Sequence, residues 1–227
     1  MLTLADPKIR RMPLVEKIEQ FVSLGGYSDR IAVDRSRSLI TSQSEYFLFV
    51  RLSVAERLVV ASQTLPDDFR LLVIEGYRPL AVQQEYFRQH MTTLRDAHSE
   101  IEEEALIDLT SRWVAPPAVG AHPTGAAIDL TLQYRDGSHI DMGSVVNATD
   151  AESSGSCYTQ SAFINRHAAN HRKILTNAMT AAGFVNYPSE WWHWSYGDRY
   201  WAVLESQPNA LYGPVDEETL RLGHEFP

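Results

Sequence analysis

Two short stretches carry residue types and spacings that could do hydrolytic chemistry. AHPTGAAIDLTL, residues 121–132, holds His122 and Asp129, and PSEWWHWSYG, residues 188–197, holds Glu190 and His193. Read as a strand, the first stretch puts Ala127, Asp129, Thr131 and Gln133 on one face, and Ala126, Ile128, Leu130 and Leu132 on the other. The second face is core, and the first offers a carboxylate among small residues on an open surface. His122 precedes the strand, and Pro123-Thr124-Gly125 can turn the chain so that its imidazole returns toward Asp129. Glu190 and His193 are three apart, a spacing that in a straight strand sends side chains to opposite faces. Pro188 and Ser189 therefore place Glu190 in the incoming loop and His193 in the strand, so that both can aim at one point. Trp191, Trp192 and Trp194 around them can line a site and exclude water.

Two imidazoles and one carboxylate suit one Zn²⁺ per chain, with a fourth position left for water, the pattern of catalytic zinc. Such a metal lowers the pKa of its water from ~15.7 toward ~7. A non-ligating glutamate, Glu190, could take a proton from that water and return it to a leaving amine. Arg78, just past an apolar run, could stabilise the oxyanion with its planar fork. The spacing alone also admits a hydrogen-bonded turn histidine, an aspartate bonded to a neighbouring loop, and tryptophans that belong to a core.

The elements that must position these residues can be read from pattern. A helix is expected over 45–64, a buried strand over 70–75, and then Tyr77-Arg78-Pro79, with Pro79 at a helix start. Helices follow over 80–91 and 99–113. A strand over 125–134 turns at Asp136-Gly137 into a returning strand over 139–142. Residues 143–160 read as a loop, 163–182 as a helix stopped by Gly183, and 191–196 and 201–204 as strands. Without βαβ regularity the class is α+β, a small, largely antiparallel sheet with helices packed on one side. Residues 1–227 are expected to form one domain, with 1–44 as an irregular segment packed on it.

Composition narrows the rest. A chain of 227 residues that is 44% hydrophobic and 22% charged is globular rather than disordered. A formal charge of −9 argues against a nucleic-acid partner, which would want a basic face. One cysteine, Cys157, allows neither an internal disulfide nor a cysteine-rich zinc site. No run approaches the ~18 apolar residues of a membrane span, and no leader is legible, so a cytoplasmic location is expected. A homo-oligomer is left open.

At the residues singled out above, the chain resembles the VanX-type D-alanyl-D-alanine dipeptidases and their relatives among the M15-like zinc D-Ala-D-Ala peptidases. The matching residues are His122, Gly125, Ala127 and Asp129, then Glu190-Trp191-Trp192-His193, with Tyr77-Arg78-Pro79 upstream. The resemblance implies an α+β fold, zinc held by His122, Asp129 and His193, Glu190 as base and Arg78 at the transition state. Tyr77, Trp192 and Asn147 are then the expected substrate contacts. It implies a small D,D-dipeptide or a peptidoglycan-derived peptide as substrate. A D,D-carboxypeptidase and a zinc-binding recognition module without catalysis are the alternatives. The chain departs from the pattern at Gly120, where serine is expected, and at Asn147, where an acid is expected. Both bear on the substrate rather than on the metal.

Other candidates are weaker. His167 and His171 are four apart but lack the glutamate of H-E-x-x-H, and with Arg166, Arg172 and Lys173 they read as a solvated helix face. His90, His98, His139 and His224 have no companion ligands and are taken as structural, and Cys157 has no nearby histidine to activate it.

Overall fold

A computed structural model describes residues 2–41 and 43–224. In chain order it has α1 (Pro7–Arg10), β1 (Phe21–Ser23), β2 (Ile31–Val33), β3 (Phe49–Arg51), α2 (Leu52–Gln63) and β4 (Phe69–Glu75). There follow α3 (Leu80–Ala97), α4 (Glu103–Thr110), a 3₁₀ turn (His122–Thr124), β5 (Ala127–Tyr134), α5 (Asp150–Ser153) and α6 (Arg166–Ala181). The chain closes with β6 (Val185–Asn186), β7 (His193–Ser195), α7 (Arg199–Leu204) and α8 (Glu217–His224). The side chain of His224 lies outside the described residues.

The fold is mixed α+β. Five strands form one sheet in the order β2-β4-β5-β7-β6, and β1 and β3 form a second. Among the strand pairs of the described residues, β2–β4 is parallel and the others are antiparallel. Strand β4 is apolar almost throughout and covered on both faces, which is why it reads as a continuous run rather than an alternation. Helix α2 buries Val54, Ala55, Leu58, Ala61 and Ser62, a stripe at helical spacing. Helix α6 does the same with Ala168, Arg172, Leu175, Ala178 and Met179. These two helices pack against each other, and α6 also packs against β5, whose Ile128-Leu130-Leu132 face belongs to the same core. Asn165 caps α6 at its start, and Gly183, at φ 84°, ends it in the left-handed region that glycine adopts without penalty.

Several expected elements are replaced. The first part of the 45–64 helix folds as β3, because the backbone at Phe49–Arg51 pairs with Phe21–Ser23. The 1–44 segment holds α1, β1 and β2. The 80–91 helix runs on to Ala97, and that over 99–113 shrinks to α4. The 139–142 return strand reduces to a single bridge between Gln133 and His139. The next carbonyls are taken by α6 instead: His171 Nδ1 meets Asp141 O at 2.8 Å and Arg172 Nε donates to Met142 O at 2.6 Å. Arg172 is thus not on a solvated face. It is buried, and its guanidinium also donates to the carbonyls of Tyr158 and Ser156, tying residues 142–158 to α6. His167 is exposed as expected. Finally, the 201–204 strand is α7, because Asp198 accepts from the backbone N–H groups of Tyr200 and Trp201 and so starts a helix. Among the described residues no helix is long and apolar enough to cross a membrane.

Candidate metal centre

Sheet register brings the chemistry together. Asp129 of β5 lies directly opposite His193 of β7, and Glu75 at the end of β4 lies opposite Asp129 from the other side. Three adjacent strands thus present one row of side chains. A register shift between Val73 and Glu75 marks a local irregularity where β4 reaches this row.

His122 enters from the 3₁₀ turn that precedes β5. Its Nδ1 donates to the carbonyl of Gly76 at 2.6 Å, which leaves the Nε2 lone pair facing the site. The turn ends at Gly125, φ 71°, packed so closely that an added Cβ would lie 2.2 Å from the Phe21 ring. Gly125→Ala combines the left-handed cost with an overpacked contact and should lower stability by roughly 2–4 kcal/mol. A urea-unfolding shift under 1 kcal/mol would show that the turn relaxes freely.

Glu190 lies in the loop between β6 and β7, as expected from Pro188 and Ser189. This turn is held by Asn186, whose Nδ2 donates to the carbonyls of Glu190 at 3.0 Å and His193 at 2.9 Å. Thr159 in turn donates to Asn186 Oδ1.

His122 Nε2 lies 3.2 Å from His193 Nδ1 and 3.4 Å from Asp129 Oδ2, and His193 Nδ1 lies 3.0 Å from Asp129 Oδ1. Bonds of ~2.0–2.1 Å to a tetrahedral ion imply edges of about 3.3–3.4 Å, so the donor set fits such an ion. Among the described residues this is the cluster of histidine, cysteine and carboxylate groups that could hold a metal. Its electrostatics call for positive charge. Burial works against the Asp129 carboxylate, but His122 and His193 outweigh it and hold its pKa far below the usual carboxylate range. Burial likewise works against protonated His193, yet Asp129 outweighs it and the pKa is raised. The face is not open, as the residue pattern suggested: Asp129 and Thr131 are both buried.

Glu190 Oε2 is 3.9 Å from His193 Nδ1, beside the cluster rather than within it. Burial pushes its carboxyl up to about 7, although His193 acts in the opposite direction. Arg78 projects into the same space. Its Nε and Nη2 donate to Glu75 Oε1 at 2.6 and 2.5 Å, and Nη1 donates to Gln83 Oε1 at 3.0 Å. Burial acts against this cation, but Glu75 and then Asp129 outweigh it and keep it charged. Glu75, Gln83 and Asn186 were not singled out from sequence. The legible signal was Glu75, the one acid closing an apolar strand three residues before Arg78.

A cavity of about 190 Å³ opens on these groups, lined also by Tyr86, Asn147, Trp192 and Tyr187. Trp192 and Asn147 therefore stand where a substrate contact requires. Tyr77 does not: it is wholly buried, its hydroxyl donates to Val215 O at 2.9 Å and its ring packs edge-on to Phe21. Trp191 and Trp194 belong to the core. Cys157 is buried, and burial raises its thiol pKa, so it is no nucleophile.

Comparison with known proteins bears on the family of the chain. The peptidase family Peptidase_M15, described as D-ala-D-ala dipeptidase, matches residues 38–209. A D-alanyl-D-alanine dipeptidase of Synechocystis sp. is 31% identical over 203 residues, 77% of this chain and 81% of that protein. One of Enterococcus faecalis is 32% identical over 136 residues, 57% of this chain and 63% of its own length. A solved LD-carboxypeptidase, LdcB, covers 86% of this chain and 76% of its own at 17% identity and a TM-score of 0.43, too distant to carry an argument. The chain belongs to the Peptidase_M15 family.

Proposed function

We propose that this member of the D-Ala-D-Ala dipeptidase family is a zinc peptidase that hydrolyses the peptide bond of D-alanyl-D-alanine. The observation that carries the reading is the convergence of His122 Nε2, the Asp129 carboxylate and His193 Nδ1, with Glu190 and Arg78 facing the same cavity. The names borne by the relatives supply the substrate. A cavity below the ~300–1,000 Å³ of drug-sized ligand sites suits a short peptide. One zinc per chain, one domain over the whole chain and a cytoplasmic location belong to the same reading.

Zinc held by these three residues would polarise the scissile carbonyl and make water a nucleophile near neutral pH. Glu190 sits within reach as the proton carrier. Its carboxylate can accept a proton from the attacking water and return it to the leaving amine nitrogen. Arg78 has N–H groups left over after serving Glu75 and Gln83, and these face the negative charge that develops on the carbonyl oxygen. Glu75 and Gln83 hold that fork in place, so the donors are oriented before substrate arrives. Trp192 and the buried walls exclude bulk water, which strengthens each of these interactions.

The test is release of D-alanine from D-alanyl-D-alanine by zinc-loaded protein, lost on chelation and restored by zinc. No release with zinc bound would overturn the reading. Arg78→Lys should keep the metal but lower kcat about 10²-fold, since an ammonium cannot reproduce the fork between Glu75 and Gln83. An unchanged kcat would remove Arg78 from the chemistry.

A further inference from the structure

Each carbonyl of residues 121–125, the turn that carries His122, accepts a hydrogen bond, and the last three do so from residues far along the chain. Ala121 O and His122 O serve the turn itself, accepting from Thr124 N at 3.0 Å and Gly125 N at 3.1 Å. Pro123 O accepts from Val215 N at 2.9 Å, Thr124 O from Arg51 Nε at 2.9 Å and Gly125 O from Arg51 N at 3.0 Å. The imidazole is held from the same side. Its partner, Gly76 O, belongs to a residue whose N–H donates to Phe47 O at 2.6 Å, and Tyr77 N donates to Phe49 O at 2.8 Å. The stretch that ends in β3 thus fixes both the backbone of the turn and the carbonyl that orients the ring.

Arg51, the last residue of β3, is 3% exposed. A guanidinium is costly to bury unless its donors are used. Here Nη2 donates to Glu16 Oε1 at 2.9 Å and Nη1 to Glu19 O at 3.3 Å. The guanidinium also lies 4.5 Å from the Phe21 ring centroid and 5.0 Å from that of Tyr212. Phe21 is the ring that fills the space beside Gly125. Glu16 Oε2 accepts from Gly213 N and Glu19 Oε2 from the Tyr212 hydroxyl, each at 2.6 Å. Backbone bonds from Val15 N to Ala210 O and from Lys17 N to Leu211 O run alongside. Residues 13–19 and 210–215 therefore close as a clasp around Arg51, and both stretches lie outside the 38–209 matched by the family model. An uncharged side chain would pack there with less desolvation; a planar fork is what joins the clasp to Thr124 O.

We propose, resting on the zinc reading above, that Arg51 is a positioning residue for the metal: with its clasp it fixes the His122 turn before zinc arrives and so sets how tightly zinc is held. Arg51 is absent from the cavity lining and acts through the backbone of Thr124 and Gly125. Without the Nε donor, Thr124 O is left buried and unpaired, and the turn must shift to find a partner, carrying His122 with it.

The experiment measures zinc affinity of the apo full chain by competition with a chromophoric chelator, with urea unfolding of the same preparations. Arg51→Lys keeps the charge beside Glu16 but puts a methylene where Nε stood, and Arg51→Met keeps the stem without the charge. Both should bind zinc about 10–100-fold more weakly, the scale of lost partners behind metal ligands. Leu58→Ala, in the core face of α2, is the stability control. It should stay within about twofold of wild type, because a destabilised protein that is still folded binds with native affinity. A change under threefold in both Arg51 variants overturns the proposal, as does an equal fall in Leu58→Ala. If neither Arg51 variant folds, Glu16→Gln at its exposed position decides: weakening of threefold or more supports the clasp, and a smaller change overturns it. A wild type that binds zinc but leaves D-alanyl-D-alanine intact overturns the peptidase reading alone, and one that binds no zinc overturns both.

Discussion

Glu190→Gln is expected to lower kcat by about 10²–10⁴-fold, the range that a positioned general base contributes, while zinc content stays at one per chain. Glutamine keeps the shape of the side chain but cannot take a proton. The metal should survive because Glu190 lies beside the cluster: its Oε2 is 3.9 Å from His193 Nδ1, while the three proposed ligand residues approach one another at 3.0–3.4 Å. The turn should survive too, since its backbone is held by Asn186 rather than by the carboxylate. Steady-state kinetics beside metal analysis of the same preparation separates the cases. A fall of less than tenfold would place the base elsewhere, and loss of zinc would make Glu190 a ligand.

Asp129→Ala is expected to abolish both zinc binding and turnover. Asp129 is the only carboxylate of the three ligands, and it touches both imidazoles. Removing it leaves two imidazoles facing each other in a buried site with no ligand carboxylate to hold a dication. Affinity should fall well beyond the ~10–100-fold that partners behind the ligands typically cost. The metal content of dialysed protein measures this directly, and retention of one zinc per chain would refute the ligand set. Asp129→Asn, which keeps the shape and removes the charge, tells the electrostatic loss from a cavity effect.

Much of the site was legible in the chain because it is built from local pattern. The alternation through Ala127–Gln133 set Asp129 opposite the core face of Ile128, Leu130 and Leu132, and that face is buried as expected. Pro188 and Ser189 signalled that Glu190 precedes the strand that carries His193. What misled were short segments whose state depends on distant partners. Phe49–Arg51 fits a helical stripe but pairs with Phe21–Ser23. Residues 139–142 look like a return strand, but α6 takes the carbonyls of Asp141 and Met142. Trp201 to Leu204 is as apolar as a strand, yet Asp198 caps it into a helix. In each case a few tenths of a kcal/mol of intrinsic preference is outweighed by hydrogen bonds whose partners lie elsewhere in the chain.

By itself the sequence picked out the residues that converge at the candidate site and the side of the core on which β5 presents Asp129, because side-chain alternation is a property of the backbone. Tertiary structure alone decided three things. It set Glu75, Asp129 and His193 in one row, made Glu75 and Gln83 the holders of Arg78, and sent the Tyr77 ring into the core rather than the cavity. Strand register and long-range packing fix those relations, and neither is encoded in the spacing of residues along a single segment.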